Sequence, residues 1–147
     1  FICEDDIEFL DPAMLQKQLE QFRNTIPDWE VCIVSGNNGP PFQPINEACV
    51  RVYNCQTTTG YIVKKHYYDV LIQNFRESAS NLMKTKKVTQ FALDVYWKRL
   101  QQQGDKWYLI IPVTAVQRKD YSDIEKRVVD YRYAMTLHDK SHLLRRK

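Results

Sequence analysis

Three consecutive carboxylates, Glu4, Asp5 and Asp6, follow the apolar start Phe1-Ile2-Cys3, and apolar residues resume at Ile7, Phe9 and Leu10. The apolar residues read as a buried strand, with the acids at its end. Like charges this close raise one another's pKa, so holding all three ionised needs either open water or a bound cation. Carboxylate oxygens suit Mg²⁺ or Mn²⁺, an ion usually completed by substrate phosphates. An acidic, solvated turn fits the same residues. A second carboxylate, Asp94, stands in Phe91-Ala92-Leu93-Asp94-Val95-Tyr96-Trp97 among apolar and aromatic neighbours. Desolvation there would raise its pKa, and a carboxylate tuned upward in a cleft serves as a general base near neutral pH. The alternative is a helix-surface Asp or a cap. Between the two lies Asn54-Cys55-Gln56-Thr57-Thr58-Thr59-Gly60, which gathers hydroxyls and amides without charge.

The elements that must position these groups are legible in the periodicity. Asp11-Pro12 is an N-cap and first-turn signal, and Leu15, Leu19, Phe22 and Ile26 follow at helical spacing until Pro27. Trp29 to Val34 reads as the next strand, where a βαβ unit begins, and it ends in Ser35-Gly36-Asn37-Asn38-Gly39-Pro40-Pro41, a loop by composition. Ala48 to Tyr53 and Tyr61-Ile62-Val63 are further strands. His66 to Met83 is a long helix whose face Tyr68, Leu71, Ile72, Phe75, Ala79, Leu82 and Met83 is read as core. Trp107 to Pro112 is the last strand and Val113 to Tyr121 a loop. Ser122 with Glu125 makes a capping box for a final helix lined by Ile124, Val128, Tyr131 and Met135, and His138 to Lys147 forms a basic tail. Strands alternating with helices predict an α/β architecture with a mostly parallel sheet, in which ligands bind beyond the carboxyl ends of the strands.

Composition narrows the class. A chain of 147 residues that is 44% hydrophobic and 27% charged matches one globular domain over 1–137 plus the tail 138–147. Net charge is only +3, with clusters at Lys84-Thr85-Lys86-Lys87 and Arg145-Arg146-Lys147, so nucleic acid is not indicated as a partner. No apolar run reaches the roughly 20 residues that span a bilayer. The four cysteines form no CxxC pair; Cys3, Cys32, Cys49 and Cys55 read as buried thiols, which fits a reducing, cytoplasmic compartment.

Four blocks taken together resemble glycosyltransferase family 25, which includes lipooligosaccharide and collagen galactosyltransferases and viral relatives. They are Ile2-Cys3-Glu4-Asp5-Asp6-Ile7, Asn54 to Val63, Ala92-Leu93-Asp94 with Trp97, and Pro112-Val113-Thr114-Ala115-Val116-Gln117 ending at Ser122. The resemblance is to a viral or eukaryote-like member. It implies a GT-A fold and a Mn²⁺- or Mg²⁺-dependent transfer of galactose or glucose from a nucleotide-diphospho-sugar to a glycan or protein hydroxyl, with inversion. Glu4 and Asp6 are then a D-x-D-like metal pair, with Asp5 near the nucleotide. Thr57, Thr58, Thr59 and Tyr61 line the donor-sugar pocket, and Asp94 is the base. Trp97 either stacks on a sugar or packs in the core, and Gln117 and Ser122 help close the site. No third metal ligand is identifiable, since His66 starts a helix and His138 and His142 lie in the tail.

The resemblance begins at the acidic motif, so the chain is expected to be the later part of a longer protein that lacks its nucleotide-binding half. In isolation it should then bind nucleotide-sugar weakly and turn over little. Two other classes remain open: a metal-dependent phosphohydrolase, and a catalytically inactive α/β binding module.

Overall fold

The computed structural model describes residues 1–122 and 126–140. Ile124, Glu125 and His142 therefore lie outside the described residues, and with them half of the expected capping box. The chain begins with strand β1 (Ile2–Cys3), then β2 (Ile7–Phe9) and helix α1 (Pro12–Thr25). Four strands follow without a helix between them: β3 (Val31–Asn38), β4 (Phe42–Pro44), β5 (Cys49–Val52) and β6 (Cys55–Val63). A single 3₁₀ turn leads into α2 (Tyr68–Thr85), α3 (Val88–Phe91), α4 (Leu93–Tyr96) and α5 (Lys98–Gln103). Strands β7 (Trp107–Ile110), β8 (Ala115–Gln117), β9 (Asp120–Ser122) and β10 (Arg127–Val129) precede a short α6 (Arg132–Thr136).

The main sheet has the order β1-β6-β3-β7-β5-β4. The fold is mixed α/β, but the mostly parallel sheet expected from alternation does not form. Only β3 and β7 run parallel, and every other neighbouring pair in this sheet is antiparallel. The reason is connectivity: parallel neighbours need a long crossover, and β3 to β6 are joined by short links that contain none. Two small sheets complete the fold, β2 with β8 and the hairpin of β9 with β10.

Strand alternation divides the core into two layers. Val31, Ile33, Trp107 and Leu109 face one side with Leu71, Trp97 and Leu100, while Cys32, Val34, Tyr108 and Ile110 face the other with Leu15 and Phe22. Helix α1 covers the second side as its spacing demands, and its Asp11 carboxylate accepts the Met14 N–H at 2.9 Å. Helix α2 covers the first with Leu71, Asn74 and Ser78, whereas Tyr68, Ile72 and Met83 of the expected stripe are exposed. Its buried line is rotated toward the polar residues because Ser78 donates to the Phe91 carbonyl, at 2.9 Å, where α3 packs against it.

Several expectations from composition are corrected. The polar stretch Ser35 to Asn38, expected as a loop, is the end of β3, paired with the polar start of β6, since pairing satisfies backbone groups whatever the side chains. Residues 113–121 contain two strands instead of a loop. The last helix is replaced by a hairpin strand holding Val128 and by α6, in which Met135 is fully buried. At the expected tail, His138 and Lys140 dock on β3: the His138 carbonyl accepts from Asn38 Nδ2, and the Lys140 ammonium reaches the Asn38 carbonyl. Strand β1 lies at the sheet edge with both residues exposed, Cys3 included.

The other three cysteines are free and buried. Burial pushes the Cys55 thiol from an ordinary 9.0 up to about 12. A group whose pKa rises on folding stabilises the fold fully below its unfolded value, and that contribution disappears as pH climbs through the folded one. Denaturant midpoints should therefore fall between pH 9 and 12, with a slope of up to about 1.4 kcal/mol per pH unit for this thiol. The Cys55→Ala variant should show a shallower alkaline loss, and an unchanged slope would refute this assignment.

Candidate functional site

The acidic turn between β1 and β2 is held from two sides. Its Glu4 N–H donates to the Thr59 carbonyl at 3.1 Å, which continues the β1–β6 ladder by one rung. Beyond it, the Asp6 carbonyl accepts the Arg118 N–H at 2.8 Å, which extends the β2–β8 pairing. The turn thus bridges the main sheet and the small one. Side chains reinforce both anchors. Thr58 and Thr59 hydroxyls donate to the two oxygens of Glu4, at 2.5 and 3.2 Å. Gln117 Nε2 donates to Asp6 Oδ2 at 2.7 Å, while Asp6 Oδ1 is shielded from solvent and has no hydrogen-bond partner among the described residues. A buried carboxylate oxygen without a donor is costly, and it is the kind of atom that a cation satisfies.

Asp94 reaches the same region from the helical layer. It sits in the first turn of α4, and its Oδ2 accepts the Thr57 N–H at 3.1 Å. Thr57 lies in a bulge of β6: register jumps from Gln56 opposite Asn37 to Gly60 opposite Ser35. Its φ of 70° places a β-branched residue in the left-handed region, at a cost of about 1–3 kcal/mol. The bulge leaves the Asn37 N–H without a ladder partner, and the Thr57 hydroxyl accepts it at 3.2 Å. Strain is thus held in the segment that turns one backbone N–H onto Asp94 and two hydroxyls onto Glu4.

Two clefts open here. One, of about 300 Å³, is lined by Glu4, Asp5, Asp6, Gln117, Arg118, Asp120 and Tyr121, with Ser122 and Val129 at its edge. The other, of about 450 Å³, is lined by Glu4, Thr57, Thr58, Asp94 and Gln117 on its polar side and by Leu82, Val88, Ala92 and Leu93 on its apolar side. Glu4 and Gln117 line both, so the cleft of the acids and the cleft of Asp94 lie side by side. Among the described residues, no group of three or more His, Cys, Asp or Glu side chains converges as a metal-binding set. The donors present are Glu4 and Asp6, a pair that suits a hard cation keeping waters and phosphates as its other ligands.

Not every residue singled out in the sequence faces these clefts. Thr59 is fully buried, and its hydroxyl is committed to Glu4. Tyr61 packs in the core with its ring edge-on to Trp97, the centroids 5.4 Å apart. Burial and the nearby Glu4 push the Tyr61 hydroxyl's pKa upward. Trp97 is 0% exposed, and its indole N–H donates to the Cys55 carbonyl at 2.9 Å, so it offers no face to a sugar. Other groups at the site were not singled out. Arg118 pairs with Asp120 at 2.8 Å, and that contact holds the guanidinium pKa up and the carboxyl pKa down. Lys98, four residues after Asp94, donates to Gln56 Oε1 at 2.6 Å; burial lowers its pKa, while Asp94 opposes that shift. The Asp94–Lys98 spacing was available in the sequence as an i, i+4 pair. Arg118 carried no such signal, since its place depends on β8 pairing with β2. No helix among the described residues is long and apolar enough to cross a membrane. No protein-family model matches the chain, and no curated protein or solved structure matches it.

Proposed function

We propose that the chain is a divalent-metal-dependent, GT-A-like glycosyltransferase of the family 25 type, moving galactose or glucose from a nucleotide-diphospho-sugar to an acceptor hydroxyl with inversion. The observation that carries this reading is that Glu4 and Gln117 line two adjoining clefts, one holding the acids, with Asp6 Oδ1 unpartnered among the described residues, and the other holding a separate carboxylate, Asp94, on an amphipathic wall. Glu4 and Asp6 would hold Mn²⁺ or Mg²⁺, which offsets charge on the departing diphosphate.

The chain's own residues supply the rest. Gln117 orients Asp6, Thr58 and Thr59 orient Glu4, and the Thr57 N–H orients Asp94. Asp94 takes the proton from the acceptor hydroxyl as its oxygen bonds to the anomeric carbon. The bond from that carbon to the diphosphate oxygen breaks, and its electron pair leaves with the nucleoside diphosphate. Attack from the face opposite the leaving group inverts the centre. Thr57 and Thr58 border the cleft where donor-sugar hydroxyls would lie, and Arg118 adds positive charge beside the acids.

The test is transfer from UDP-galactose or UDP-glucose in Mn²⁺ by the wild type and by Asp94→Asn. The variant keeps an oxygen to accept the Thr57 N–H, so its melting temperature should be unchanged. Its turnover should fall by about 10²–10⁴-fold, the usual contribution of a general base. A variant as fast as the wild type would remove Asp94 from the mechanism. Phosphate release without an acceptor would identify the hydrolase class instead.

A further inference from the structure

We propose that the groove between α2 and α5 binds a neutral carbohydrate, whose hydroxyls both donate to and accept from the polar side chains lining it. The groove has a volume of about 510 Å³, within the roughly 300–1,000 Å³ usual for small-ligand sites. It shares no lining residue with the clefts of the acids and Asp94, and it stands independently of the transferase reading. Asp69, Asn74 and Glu77 line it from α2, and Arg99, Leu100 and Gln103 from α5. Asp69 and Glu77 are just over two helical turns apart, about 12 Å along the axis, so the groove has room for more than one sugar ring.

Asn74 is the residue that points to a ligand. With Leu71 and Ser78 it makes the buried line of α2, and it is only 5% exposed. Its Oδ1 is shielded from solvent and accepts no hydrogen bond among the described residues. A buried acceptor without a donor is destabilising, and leucine, with the same branching, would fill the line with no polar atom left over. A donor carried by a ligand accounts for the amide; packing does not.

The groups around it are already oriented. Glu77 Oε1 accepts from Gln73 Nε2 at 2.9 Å and its Oε2 from the Tyr96 hydroxyl at 3.1 Å, with Arg99 3.8 Å away. These hydrogen bonds hold the Glu77 carboxyl below its ordinary value. They leave the amide oxygen of Gln73, which also lines the groove, as an acceptor. Asp69 forms no ion pair among the described residues. Acceptors at Asn74, Gln73 and Asp69 thus share one groove with donors at Arg99 and Gln103. A cationic ligand would meet Arg99, and an anionic one would meet Asp69 and Glu77. A hydroxyl answers both kinds of partner because it donates and accepts. Leu100, 7% exposed, gives the floor an apolar patch for the C–H face of a ring. A peptide backbone also donates and accepts, but it is usually held by a strand edge or by a row of apolar pockets, and two helices with Val70 and Leu100 as their apolar lining supply neither.

The experiment is an NMR titration of the full chain with lactose, maltose and methyl β-galactoside, and with spermidine and trialanine as the cationic and peptide alternatives. At about 10 mM at least one of the sugars should shift the Asn74 side-chain amide and the Leu100 methyls. Asn74→Leu should weaken that binding by at least about tenfold while melting at or above the wild-type temperature, because it removes an unpaired buried atom. A residue kept for packing would show the reverse, a lower melting temperature. Gln103→Ala alters an exposed side chain. It should weaken sugar binding about threefold or more with no change in melting, and it decides alone should Asn74→Leu fail to fold. The inference is overturned if none of the three sugars shifts these resonances, if spermidine or trialanine does so instead, or if the folded variants bind sugar as tightly as the wild type.

Discussion

Neutralising the acidic pair, Glu4→Gln together with Asp6→Asn, should abolish Mn²⁺ binding and slow sugar transfer by at least about a hundredfold while leaving the fold intact. The separation of the two effects follows from how the carboxylates are held. Glutamine at position 4 retains an oxygen for the Thr58 or Thr59 hydroxyl. Asparagine at position 6 can still accept from Gln117, and it removes the charge while its amide nitrogen takes the place of an oxygen that already lacked a partner. Stability should therefore change by less than about 1 kcal/mol, because one unpaired buried polar atom replaces another and no new one is created. Function has no such substitute, because charge stabilisation on a leaving diphosphate is worth several kcal/mol and each tenfold in rate is about 1.4 kcal/mol. Water-proton relaxation in the presence of Mn²⁺ reads the binding directly, and thermal melts read the fold. Normal transfer by a soluble, folded double variant would end the proposal. So would wild-type relaxation enhancement.

Trp97→Ala should have the opposite profile, with a large loss of stability and no specific loss of sugar affinity. The side chain is fully buried against Trp107 and Tyr61, with ring centroids 5.1 and 5.4 Å away. Removing it leaves a cavity that a sheet on one side and three short helices on the other cannot close, a cost of about 3–5 kcal/mol. For a domain of this length each kcal/mol lowers the melting temperature by about 2–4 °C, so a drop near 10 °C is expected. The Cys55 carbonyl keeps one partner, the Gln101 amide at 2.8 Å, so the main cost is packing and not an orphaned acceptor. Trp97→Phe should recover most of the loss. If Trp97→Ala melted like the wild type but lost acceptor binding, the residue would belong to the site after all.

Local pattern was enough to find much of the scaffold. Helix α1 follows from Asp11-Pro12 and from Leu15, Leu19 and Phe22 at helical spacing, because capping and amphipathic burial are short-range effects. Strands β3, β5 and β7 follow from runs of Val, Ile, Leu, Cys and Trp, whose alternate residues reach the two buried layers. The polar ends of β3 and β6 did not read as strand, since backbone pairing there is decided by the neighbouring strand and not by the side chains. Sheet direction escaped the sequence for the same reason: alternation of helices and strands gives the order along the chain, while direction depends on which strands become neighbours.

The candidate site divides along the same line. The sequence by itself determined the chemical inventory, namely the acidic triplet, the threonine run and an aspartate beside aromatic residues. Only the tertiary structure decided which of these residues meet. The threonine run bulges at Thr57, and that bulge turns one threonine toward Asp94 and two toward Glu4. Gln117 joins Asp6 through the pairing of β2 with β8, across 111 positions of sequence. Trp97 and Tyr61 are withdrawn into the core. Such contacts depend on long-range pairing and on the rotation of each side chain about its strand or helix, quantities that spacing along one chain does not encode.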